Sequence, residues 1–108
     1  MSDLAELVLL AMLKQAIKPT LKVAQCKGLS GAQMNSIASG TSAAFEKVDN
    51  LSQICTIISL VMANRHSEYK WGCVASQDTD MTASFNGVDG FIKYSFGKYT
   101  FVVFCYTT

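Results

Sequence analysis

Phe91-Ile92-Lys93-Tyr94-Ser95-Phe96-Gly97-Lys98-Tyr99-Thr100-Phe101-Val102-Val103-Phe104-Cys105-Tyr106 is the run from which the architecture of this chain is read. It is aromatic and β-branched on both sides of one glycine, a composition that packs well on a half-buried pleated surface. Gly97 takes the positive φ of a tight turn without steric cost, and polar Ser95 and Lys98 flank it. The run predicts an antiparallel hairpin of strands Gly90–Phe96 and 98–106. In the second strand Tyr99, Phe101, Val103 and Cys105 share one face, and Thr100, Val102, Phe104 and Tyr106 share the other. Neither face is cleanly polar, so each needs a cover: a helix layer or another chain.

Upstream of the hairpin, Asn86-Gly87 and Asp89-Gly90 are two strong turn signals. Residues 81–85 read as a weaker extended segment, Gln77-Asp78-Thr79-Asp80 as a polar turn or bulge, and 70–76 as a strand. Further back, Leu51, Ile54, Ile58, Val61 and Met62 form the buried stripe of a helix that Asn50 or Ser52 can cap. Before it, Ser30 and Gln33 stand at capping-box spacing at the start of a helix that runs to about Val48. Its stripe is Met34, Ile37, Ala38, Thr41, Ala44, Phe45 and Val48, with Gly40 weakening the middle. Residues 20–26 alternate with period two and predict a short strand. Residues 4–17 predict one more helix, opened by Ser2, Asp3 and Glu6 and stopped by Pro19. It is apolar around most of its circumference, which fits either packing on its own domain or docking on a neighbour. Helix, strand, two helices and then strands make an α+β domain with helices covering an antiparallel sheet.

Composition narrows the function classes. With 108 residues there is one domain, large enough for one core. Half the residues are hydrophobic and 16% are charged, which places the chain among globular rather than disordered sequences. A net charge of +1 without a basic run leaves no electrostatic footprint for nucleic acid. The apolar run near the start lacks a positive leader, and no apolar stretch reaches the roughly 20 residues needed to cross a bilayer. The expectation is a soluble, intracellular chain. Cys26, Cys55, Cys73 and Cys105 are too far apart in sequence for a Cys-x-x-Cys site, and His66 is the single histidine. They read as reduced core thiols in a reducing compartment rather than as a zinc site.

Candidate chemistry is thin. Gly28-Leu29-Ser30-Gly31 lacks the lysine and spacing of a phosphate loop. Asp78 and Asp80 lack the glycine and bidentate acid of a calcium loop. Cys73 sits in a strand pattern with no base beside it, and His66 ends a helix as a surface or dipole partner. The chain is read as a contact protein, not an enzyme, with no cofactor and no metal.

In order and spacing these residues resemble the dynein light chain family of the small hub type (type 1), over residues 22–104. Phe45-Glu46-Lys47 matches the end of the family's first helix, and Ile54, Ile58 and Met62 match the stripe of its second. Trp71, Cys73 and Val74 match its Trp-x-Cys strand, and Phe91, Ile92, Gly97 and Phe104 its final hairpin. Single insertions fall before Trp71 and between Cys73 and Phe91. The resemblance implies a dynein light chain-like domain over residues 19–108, carrying a helical extension over residues 1–18. It implies a dimer whose subunits exchange a strand, and grooves that bind extended peptides by strand addition. The exchanged strand and groove edge would be Thr79, Asp80, Met81, Thr82, Ala83, Ser84 and Phe85, with Lys93 and Ser95 at the places of two groove tyrosines.

The departures from the family are equally specific. The charged pair that holds a glutamine falls at Leu51 and Ser52, the histidine between Trp and Cys is Gly72, and the lent strand ends Ser84-Phe85-Asn86. They point to a divergent, axonemal-like member with a dedicated partner. The expected partners are dynein intermediate chains and another light chain, as homodimer or heterodimer, in cytoplasm and cytoskeleton and in the axoneme of a cilium or flagellum. The alternatives are a Tctex-type dynein light chain and a small-ligand-binding α+β domain.

Overall fold

A computed structural model of the chain describes Val8, residues 21–77 and residues 86–107. Four strands and two helices follow in the order β1 (Lys22–Lys27), α1 (Gly31–Lys47), α2 (Leu51–Arg65), β2 (Lys70–Ser76), β3 (Gly90–Phe96) and β4 (Tyr99–Tyr106). The fold is α+β, with two helices packed against a four-stranded antiparallel sheet of order β1-β3-β4-β2. The two central strands are therefore those of the predicted hairpin. Its loop is Gly97-Lys98, with Gly97 at φ 61°, and among the described residues no non-glycine residue has positive φ. Glycine in the first position of a two-residue loop matches the twist of the flanking strands.

The helix boundaries follow from capping. Gln33 N donates to Ser30 Oγ (3.1 Å) while Ser30 N donates to Gln33 Oε1 (2.8 Å), so the capping box is closed. At α2 the Asn50 side chain is the cap, accepting from Gln53 N at 3.1 Å. The helix described as ending near Val48 does so, with Val48 as its extended C-cap.

The core lies between helices and sheet. Ile54, Ile57, Ile58, Val61 and Met62 come from α2, Ile37, Ala43 and Ala44 from α1, and Trp71, Ile92, Tyr94, Phe101, Val103 and Cys105 from the sheet. Phe45 ties the end of α1 to the hairpin, stacked on Phe96 (4.8 Å) and Tyr99 (5.7 Å) and edge-on to Phe101 (5.9 Å). Tyr94 is fully buried, and its hydroxyl meets Thr41 Oγ1 at 2.7 Å. Thr41 itself donates to the Ile37 carbonyl at 2.7 Å, so Tyr94 must be the donor to Thr41.

Two expectations change in detail. Residues 20–26 alternate with period two and predict a short strand, which forms as β1, but all six of its residues are exposed and its register slips between Val23 and Gln25. β1 is an edge strand, so period-two alternation there reflects the pleat and not a core face. Both faces of β4 were expected to need a cover, and both are buried along most of the strand: Thr100 and Val102 as well as Phe101, Val103 and Cys105. Val102 is fully buried within the single chain, so a second chain is not required at that position. The predicted helix over residues 4–17 lies outside the described residues except for Val8, which is helical, fully buried and part of the core. No helix among the described residues is long and apolar enough to cross a membrane.

Candidate functional site

β2 closes one side of the sheet, and no described strand pairs with its outer edge. Its register with β4 runs from Lys70 opposite Tyr106 to Ser76 opposite Thr100. Alternation sends Trp71, Cys73 and Ala75 toward the helices and Lys70, Gly72, Val74 and Ser76 to the opposite face. Val74 is 44% exposed, one of three exposed large apolar side chains among the described residues. Beside this edge runs a groove of about 360 Å³, walled by Ser52, Cys55, Thr56 and Ser59 of α2 and by Cys73, Val74 and Ala75 of β2. An unpaired strand edge offers a row of backbone donors and acceptors to an extended segment. An adjacent groove of alternating hydroxyl and thiol side chains gives such a segment room for its own side chains.

Cys55 of α2 and Cys73 of β2 both line this groove, and each thiol shifts the titration of the other. The bond donated by the Cys73 thiol lowers the pKa of Cys55, against the opposing effect of burial. The same bond pushes Cys73 well up, and burial and the neighbouring Cys55 charge push it further. Cys55 is thus the more acidic of the two. All four cysteines are free thiols, with Cys26 exposed and Cys105 buried.

The predicted site residues are spread. Thr79 to Phe85 lie outside the described residues. Lys93 and Ser95 sit on β3, opposite Val102 and Thr100 of β4, on the face turned from the helices. β4 separates them from β2, so they do not line the edge groove. Of the two residues that the resemblance sets at glutamine-holding places, Ser52 lines the groove and Leu51 is half-buried against the core. Sequence reasoning missed the Cys55–Cys73 pairing. The two are 18 positions apart, and only the packing of α2 on β2 brings them together.

A second groove, of about 330 Å³, lies over Ala32, Asn35, Ser36, Ser39, Arg65 and His66. His66 Nε2 is 3.0 Å from Ser36 Oγ, and Nδ1 is 4.0 Å from Glu68 Oε1. The order serine, histidine, acid is that of a hydrolase, but the geometry is not. The acid is too far for a hydrogen bond, and Ser36 is buried within α1, where backbone amides are already used by the helix. His66 instead acts as a clasp: it caps α2, reaches Ser36 of α1, and its carbonyl accepts the Trp71 indole N–H at 2.9 Å. Among the described residues no three His, Cys, Asp or Glu side chains stand together as metal ligands.

Comparison with protein-family models and with curated proteins finds no match for this chain.

Proposed function

We propose that this chain is a non-catalytic light chain of a dynein motor complex, dimerising and binding extended intermediate-chain segments by strand addition. The observation that carries the reading is the outer edge of β2, which no described strand pairs, beside the groove of α2. Support also comes from the order of the elements, which follows the pattern of the resemblance from Phe45 through Phe104. In this reading residues 79–85 meet the partner, whether a second light chain or an intermediate-chain tail. The work is done on microtubules, in the cytoplasm or in an axoneme, and needs neither cofactor nor metal.

Sedimentation at low micromolar concentration tests the assembly, and a species heavier than the 11.7 kDa chain is expected. Ala83→Pro tests the contact, because proline removes one ladder amide and fixes φ. The variant should keep its helical circular dichroism while losing dimerisation or capture of an intermediate-chain peptide. A strictly monomeric wild type that binds no such peptide sinks the reading. A small molecule bound at Ser36 and His66 by that monomer would replace it with the ligand-binding alternative.

A further inference from the structure

We infer that Cys55 and Cys73 form a dithiol redox site, convertible to an intramolecular disulfide that locks α2 onto the edge strand β2. The inference rests on the two thiols and their groove, and stands whether or not the groove accepts a strand. Three observations carry it. The side chains come from different elements, α2 and β2, which pack so that both reach one groove, where each thiol shifts the titration of the other. Both are half-buried and line one surface groove of about 360 Å³. The other two thiols are placed differently: Cys26 lies on the exposed edge strand β1, hydrogen-bonded to Met34 Sδ at 3.4 Å, and Cys105 is buried opposite Trp71. Two thiols on facing walls of one groove are joined when α2 and β2 bring the sulfurs to an S–S bond of about 2.05 Å.

The chemistry is thiol–disulfide exchange with a low-molecular-weight disulfide, RSSR, as oxidant. The Cys55 thiolate attacks one sulfur of RSSR, the S–S bond breaks, and one RS⁻ leaves, giving a Cys55–SR mixed disulfide. Cys73 then releases its proton to solvent, and its sulfur attacks the Cys55 sulfur. The second RS⁻ leaves and the Cys55–Cys73 bond is made. Two protein thiols are oxidised by two electrons, and RSSR is reduced to two RSH. Cys55 is the entry point because the thiolate is the nucleophile and the bond from Cys73 favours it. Cys73 is the resolving thiol.

The test uses the full chain with oxidised glutathione as the probe, thiols trapped by alkylation, and tryptic peptides read by mass. Residues 48–65 and 71–93, each with one of the two cysteines, should appear joined, and reductant should separate them. Cys73→Ser should stop at a glutathione adduct on Cys55, and Cys55→Ser should leave Cys73 unmodified. The wild-type result alone decides if a variant fails to fold. Joined peptides that appear equally in urea would overturn the inference, since the pairing must come from the fold. So would stable adducts on both cysteines, a Cys26 adduct as the sole product, or a link between two chains.

Discussion

Tyr94 and Thr41 are 53 positions apart and form the polar link inside the core, a chain of bonds from phenol to hydroxyl to the Ile37 carbonyl. The two ends of that chain are unequal. Thr41→Val leaves the Tyr94 hydroxyl buried without an acceptor and should cost about 1–3 kcal/mol, whereas Tyr94→Phe removes a donor from a hydroxyl still bonded elsewhere and should cost about 1 kcal/mol. In urea titrations the double variant should be more stable than the sum of the two predicts. Burial holds the Tyr94 phenol well above its ordinary pKa. Below about pH 10 folded and unfolded chains both keep this proton, and the group adds no slope. Above that pH the unfolded chain releases it first, so stability falls as pH rises, by up to about 1.4 kcal/mol per pH unit. Cys73 and Cys105, also raised, begin to act from about pH 8.5. Tyr94→Phe should flatten only the part of the curve above about pH 10; an unchanged curve would mean the phenolate is not excluded.

At the scale of elements, the loop after β1 and the start of β3 meet backbone to backbone. Gly28 has φ +74°, and a Cβ there would run into the Asp89 carbonyl oxygen; one on Gly90 would stand 2.7 Å from the Gly28 carbonyl oxygen. Two glycines thus let edge strand β1 join the central hairpin. Gly28→Ala combines a left-handed backbone with a clash against main chain, and should cost about 2–4 kcal/mol in thermal or urea unfolding. Gly31→Ala is the control, since nothing lies within 4 Å of its added Cβ. Equal stabilities for the two variants would show that the junction moves freely. The capping box at Ser30, the hairpin and β2 were all legible in sequence because each is decided by residues within a few positions of one another. The exposure of β1 was not, since an edge position is a property of the sheet and not of the strand.

For the whole molecule, the groove beside β2 is where partner choice would be made. In the proposed light-chain reading, Leu51 and Ser52 take the places of the hub type's charged pair, and a missing charge-assisted hydrogen bond is worth about 1.5–3 kcal/mol. A Thr-Gln-Thr peptide should therefore bind roughly tenfold to hundredfold more weakly than to a hub-type light chain. Calorimetric titration checks this, and restoring the pair as Leu51→Glu with Ser52→Lys should recover the difference. Tight binding by the unaltered chain would show that another wall of the groove holds the glutamine.

The amino-acid sequence by itself determined what depends on neighbours along the chain: the α+β class, the cap at Ser30, the stripe of α2, the limits of β2 and the turn at Gly97. Period and turn chemistry act over a few residues, so they are written locally. The strand order, the edge of β2 that no described strand pairs, the clasp of His66 on Ser36 and the placing of Cys55 and Cys73 in one groove were decided only by tertiary structure. Each joins residues whose meeting depends on how whole elements pack, and hydrophobic burial, which drives that packing, is non-directional and leaves no short-range signature.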